Sequence, residues 1–181
     1  MLFETANSPN LCIATAYNLC QGRSSKSCLQ SVYRQHKRYL ININKDFIDP
    51  CTAFRRDFLK QLHKWEKNGD RLSVCIDVNK NLLNKKLHKS ITNINLIPII
   101  KNRHRHKIAP RTHSQGSIVI DRTYISPGFK IIAAGCTSFS DAPGDHIALW
   151  LDIKNKSLFK PKNQEYLSPS LSPRQRQPLC Y

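Results

Sequence analysis

No stretch of this chain approaches the roughly 18 uninterrupted apolar residues that a membrane-spanning helix needs. The start, MLFETANSPNLCIATAYNLC, lacks a basic segment followed by an apolar core, so no secretory leader is predicted. Seven cysteines lie at 12, 20, 28, 51, 75, 136 and 180, yet no Cys-x-x-Cys pair occurs. That removes zinc-ribbon and thioredoxin-type readings. An odd cysteine count without a leader fits reduced thiols and an intracellular setting, nuclear or cytoplasmic. The two tryptophans and six tyrosines are too dispersed to define a base-stacking platform. Negative charge is scarce: twelve Asp and Glu face twenty-nine Lys and Arg, for a formal net charge of +17. A field of that sign favours polyanions, meaning nucleic acid, phosphate-bearing substrates or an anionic membrane surface. A solvated basic surface on a structural protein is the plain alternative.

The 181 residues suffice for one domain with a sizeable core and are too few for two. Residues 11–19, LCIATAYNL, read as a short buried strand ending at Tyr17-Asn18. From Leu29 to Ile43, apolar residues at 29, 32, 33, 39, 40 and 43 are spaced nearer to helical than to strand periodicity, which predicts a basic amphipathic helix. Asp49 is placed to cap a second helix with Pro50 in its first turn. Phe54, Phe58, Leu62 and Trp65 recur on one face, and Asn68-Gly69 stops it. The apolar run Leu72 to Ile76 is consistent with a buried strand and finishes on Asp77 and Asn79. KNLLNKKLHKSITNINLIPII predicts another basic helix and a short apolar segment. KNRHRHKIAPRTHSQG is a basic loop of sixteen residues, long enough to suggest a function. SIVIDRTYIS, with Asp121 inside it, GFKIIAAGC and Ile147 to Ile153 read as strands. After Lys154 the chain is rich in Lys, Ser and Pro and reads as a disordered basic tail. Strands that follow strands argue for a mixed or antiparallel sheet system with helices packed outside, an α+β fold rather than a doubly wound parallel sheet.

Four polar features sit at element edges: Tyr17-Asn18, Asp77-x-Asn79, Asp121, and Asp145-His146. Strand ends present short side chains rigidly to a shared cleft. Asp and Asn are also common turn formers, so each feature taken alone fits an ordinary turn, a solvent-facing strand residue or an edge histidine, and Tyr17 a half-buried aromatic. Carboxylates, one amide and one imidazole are nevertheless a suitable inventory for phosphodiester cleavage. That reaction needs a hard cation on oxygen ligands, an oriented water and a donor for developing charge.

The order of four segments carries more weight. Tyr17-Asn18, FRRDFLKQLHKWEKNGDRLSVCIDVN, THSQGSIVID and APGDHIALWLDI together resemble the endonuclease/exonuclease/phosphatase superfamily, from about Ala14 to Ile153. That family includes abasic-site nucleases, sphingomyelinases and the endonuclease domains of non-long-terminal-repeat retroelements. The resemblance implies a two-sheet β-sandwich with flanking helices (four layers, α/β/β/α), divided here into a lead at 1–13, a partial domain at 14–153 and the tail at 154–181. It implies that Asp77 and Asn79 hold and orient the scissile phosphate and attacking water. By the same likeness, His146 acts at the phosphate and is oriented by Asp121, Asp145 contacts the metal, and Tyr17 hydrogen-bonds a phosphate oxygen. The implied cofactor is Mg²⁺, with Mn²⁺ as the alternative, and the implied partner is nucleic acid, DNA ahead of RNA. Ile76 and Gly144 replace the family's Gly and Ser before the two aspartates. Thirteen residues precede Ala14, too few for the family's first strands and its metal-binding Glu, and Glu4 stands in no matching context. The chain is therefore expected to span the last two-thirds of such a domain. Two readings stay open: a metal-dependent phosphodiesterase of retroelement type, and a non-catalytic basic nucleic-acid-binding module or pseudoenzyme fragment. A third, a metal site at His104, His106, His113 and Cys136, competes with the basic-loop reading of the same segment.

Overall fold

The computed structural model describes residues 2–3, 10–19, 31–44, 49–79, 85–100, 110–142 and 144–154. Its elements, in chain order, are β1 (Leu2–Phe3), β2 (Leu11–Tyr17), α1 (Val32–Asn44), α2 (Pro50–Lys67), β3 (Arg71–Asp77), α3 (Lys85–Asn93), β4 (Ile97–Pro98), β5 (Asp121–Ile125), β6 (Ile131–Cys136) and β7 (Leu149–Ile153). Five strands form one sheet in the order β1-β2-β3-β5-β4, and β6 pairs with β7 in a second. The parallel pair β2–β3 needs a crossover, which α1 and α2 supply. The other pairings are antiparallel. The architecture is the mixed α+β, two-sheet arrangement with flanking helices that the sequence predicts.

Local chemistry explains the best-defined helix. The Asp49 carboxylate accepts from Thr52 N at 2.9 Å, satisfying one of the first-turn donors, and Pro50 needs no donor there. Tyr33 Oη donates to the same carboxylate at 2.8 Å, tying α1 to the start of α2 and pushing the phenol up to about 12. At the other end Asn68 is the cap, and Gly69 follows at φ +77, a left-handed position that suits glycine.

The alternation of β3 sends Leu72, Val74 and Ile76 to the helical side. There they pack with Leu62, Leu87, Ile91, Ile94, Leu96 and Tyr124, and with the Phe54, Phe58 and Trp65 stripe of α2. Tyr124 is fully buried, and its hydroxyl is matched at 3.0 Å by His88 Nδ1 of α3. A second core lies on the opposite side of the sheet, where Leu11, Ile99, Ile125 and Phe129 meet Ile131, Ala134, Leu151 and Ile153 of the small sheet. The sequence of layers is helices, five-stranded sheet, two-stranded sheet. Gly135 lies beneath Trp150, and a Cβ there would come within 2.7 Å of the indole, so the cross-strand contact requires glycine.

Some boundaries differ from expectation. Asp121 is the first residue of β5 instead of lying inside a strand; there the Thr112 hydroxyl takes both Ile120 N and Asp121 N, while Ile120 O accepts from Val78 N. The last strand starts at Leu149, since Ile147 N donates to Thr112 O and Ala148 N to Thr137 Oγ1. The first helix begins at Val32, and His104, His106 and the tail from residue 155 lie outside the described residues. No described helix is long and apolar enough to cross a membrane.

Loss of the cap should be measurable. Asp49→Ala is expected to lower unfolding stability by about 1 kcal/mol, with Tyr33→Phe costing less, as read from urea-unfolding midpoints. Equal stability of all three proteins would contradict the cap's contribution.

Candidate active site

Three strands terminate on one row. Tyr17, the last residue of β2, lies in register with Asp77, the last of β3, and Asp77 faces Asp121, the first of β5. Side chains alternate along a strand, and Leu72, Val74 and Ile76 face the helices. Asp77 and its register partners Tyr17 and Asp121 therefore project to the other side, toward the small sheet.

The strand ends are clamped by two asparagines. Asn18 N donates to Asp77 O at 2.8 Å, Asn18 Nδ2 donates to Val78 O at 2.9 Å, and Asn79 Nδ2 donates to Asn18 O at 2.8 Å. Asn79 sits at φ +52 with its N–H donating to Asp77 Oδ1 at 2.8 Å, a turn in which the aspartate substitutes for a backbone acceptor. Part of Asn79's hydrogen-bonding capacity is thus structural. The clamp leaves Asn18 Oδ1 buried without a partner among the described residues.

His146 reaches this row from the turn before β7. Its Nδ1 lies 2.9 Å from Asp121 Oδ2, so the carboxylate fixes the ring's orientation and leaves Nε2 on the outer side. Asp145 Oδ1 is 4.0 Å from that Nε2. The segment that delivers both residues is held by Thr112–Gly116. His113 bridges His146, Ser114 N donates to Asp145 O at 2.8 Å, and Ile147 N donates to Thr112 O at 3.0 Å. Thr112 is buried, and its hydroxyl accepts from Ile120 N at 2.9 Å and Asp121 N at 3.1 Å. One residue therefore supports both members of the Asp121–His146 pair.

The electrostatics follow from crowding. Burial pushes the Asp77 carboxyl up; the Asn79 N–H opposes this, and the facing Asp121 charge adds to it. For His146, burial works against the charged ring, but the hydrogen bond and charge of Asp121, with Asp77 and Asp145 behind it, outweigh burial and raise the imidazole. One donor atom from each of Asp77, Asp121 and His146 lies within 4.8 Å of the others, and the same holds for His113, Asp145 and His146. Asp77 Oδ1, Asp121 Oδ2 and Asp145 Oδ2 already have partners, which leaves each carboxylate a second oxygen. Oxygen donors on crowded carboxylates fit a hard divalent ion such as Mg²⁺ or Mn²⁺.

The structure thus brings Asp77, Asn79, Asp121, Asp145 and His146 together, with Tyr17 more than half exposed at their rim. Sequence reasoning missed Thr112 and the structural use of Asn18, and weighed His113 only with His104, His106 and Cys136. It also missed Arg111, whose guanidinium sits 5.3 Å over the Phe139 ring next to Thr112. The signal available was the polar run Thr112-His113-Ser114-Gln115 at the end of a basic loop, which has no strand or helix period.

No family model and no curated protein matches the chain. Among solved structures it is similar to the human Nocturnin catalytic domain with bound sulfate anion, at 16% identity and a TM-score of 0.49. The likeness covers 81% of this chain and 48% of that one, so the chain spans about half the length of that domain.

Two outcomes test the electrostatics. His146 is raised by its carboxylate partners, so its stabilisation is complete below the unfolded-state value and is lost as pH rises through the folded one, whereas Asp77 is raised because its charged form is penalised and so costs stability as pH rises into its ionised range. The stability advantage of the native protein over His146→Asn, which keeps a neutral donor to Asp121, should therefore be larger near about pH 5.5 than near about pH 9. Without divalent ions, Asp77→Asn should raise the thermal midpoint at neutral pH, because it removes a crowded charge while keeping the Asn79 contact. A lowered midpoint would show that Asp77 is not electrostatically penalised.

Proposed function

We propose that this chain is a divalent-metal-dependent phosphodiester hydrolase acting on nucleic acid, an endonuclease of retroelement type that prefers DNA to RNA. The observation that carries this reading is the 2.9 Å Asp121–His146 pair beside Asp77, in a chain of net charge +17. The order of Tyr17-Asn18, Asp77-x-Asn79, Asp121 and Asp145-His146 along the chain adds the retroelement resemblance.

In this reading His146, held by Asp121 and raised toward its charged form, places a proton at Nε2 against the phosphoryl or leaving-group oxygen. Asp77, with Oδ1 fixed by the Asn79 N–H, offers its other oxygen to the attacking water. Tyr17 donates its hydroxyl to a phosphate oxygen from the rim. Asp145 would hold the ion, and bound Mg²⁺ would offset the charge that accumulates on the phosphoryl oxygens. Arg111 and the excess of Lys and Arg supply non-specific attraction for the phosphate backbone.

A second reading, a non-catalytic basic module, is favoured by one observation. Glu66 is the only glutamate among the described residues, and it lies in the last turn of α2, apart from the carboxylate row. A single assay separates the two. Purified protein is expected to nick supercoiled plasmid in Mg²⁺, with EDTA abolishing the activity and His146→Ala reducing it at least about a hundredfold. Salt-dependent DNA binding without nicking under any divalent ion would establish the binding module instead.

A further inference from the structure

His113 has no part in the chemistry just described, yet it is tied on several sides. Its backbone bridges His146, and its ring stands edge-on to the His146 ring at 84°, with centroids 4.8 Å apart. Its Nε2 lies 3.1 Å from Asp145 Oδ2, and its Nδ1 accepts from Gln115 N at 3.1 Å.

The Gln115 bond decides what this ring does. A ring nitrogen that accepts from an N–H carries no proton, so in the neutral ring the proton resides on Nε2. His113 Nε2–H therefore donates to Asp145, and no lone pair faces outward there for a metal. The spacing agrees: donors around a tetrahedral ion at about 2.0–2.1 Å lie about 3.3 Å apart, whereas His146 Nε2 and Asp145 Oδ1 are separated by 4.0 Å. Tautomer and distance both disfavour a zinc-like centre at His113, Asp145 and His146.

Asp145 is the carboxylate most in need of a tether. Its side chain is 67% exposed, and it follows Gly144, whose φ of +136 is a conformation few other residues adopt. An exposed ion pair adds little to stability, so the contact has its main consequence elsewhere. We infer that His113 is a positioning residue: its Nε2–H holds Asp145 Oδ2 and so presents Asp145 Oδ1, beside His146, to the divalent cation of the hydrolytic reaction. This rests on the functional reading above. The edge contact with His146 keeps the ring in place, and Gln115 keeps its proton on the correct nitrogen. Holding one oxygen in advance removes part of the ordering that ion binding would otherwise require.

The test compares the unsubstituted 181-residue chain with His113→Phe, which keeps a ring against His146 but donates nothing, and His113→Gln, whose amide nitrogen falls near the Nε2 position. Mn²⁺ binding is measured by calorimetry and electron paramagnetic resonance, and plasmid nicking is titrated with Mn²⁺. His113→Phe is expected to weaken Mn²⁺ binding about tenfold or more, to raise the half-saturating Mn²⁺ for nicking in parallel, and to recover turnover at saturation. His113→Gln should restore most of the affinity. If the phenylalanine variant does not fold, His113→Asn, too short to reach Asp145 Oδ2, replaces it against His113→Gln. Equal Mn²⁺ affinity in all variants overturns the assignment, as does stoichiometric Zn²⁺ binding that disappears with His113. An unsubstituted chain that binds no Mn²⁺ overturns the functional reading itself.

Discussion

Asp77 and Asp121 occupy directly opposed positions at the ends of two antiparallel strands, and two like charges so placed repel. Much of the surrounding structure answers that repulsion. Asn79 N–H satisfies one oxygen of Asp77, the Thr112 hydroxyl gathers the backbone N–H groups of Ile120 and Asp121, and the His146 imidazole meets Asp121 directly. Burial and the neighbouring charge keep Asp77 above the ordinary carboxylate range, and the carboxylates keep His146 above the ordinary imidazole range. The site is an electrostatic balance in which the carboxylates and the His146 imidazole are coupled.

The balance depends on two rigid supports. The parallel β2–β3 pair, locked by the Asn18 and Asn79 clamp, fixes where Asp77 stands. The Thr112–Gly116 segment fixes where Asp145 and His146 stand, through backbone bonds that form no regular sheet. One support grows out of a hydrophobic core under α2 and α3, where Leu62, Leu72 and Val74 are fully buried. The other is polar and local. Site residues delivered by such different elements keep their geometry only if both hold.

How much was legible can be judged element by element. Asp49-Pro50 and Asn68-Gly69 announced α2, since caps and breakers act within a few residues of their own backbone. The apolar run Leu72 to Ile76 announced β3 and placed Asp77 at its end. The start of β5 at Asp121 was not legible, because the hydroxyl that takes its N–H lies nine residues upstream. Arg111 over Phe139 and the split use of Asn79 were hidden for the same reason: both depend on partners distant in the chain.

The sequence by itself determined the helices, the buried strands, the positive field and the identity of the polar groups at strand ends, because each arises from local periodicity, capping chemistry or composition. Tertiary structure alone decided that Tyr17, Asp77 and Asp121 share one row, that His146 turns its Nδ1 to Asp121, and that His113 faces Asp145. Register between strands and the meeting of loops are set by long-range packing, and a shift of one residue in β2, β3 or β5 would send Tyr17, Asp77 or Asp121 to the opposite face.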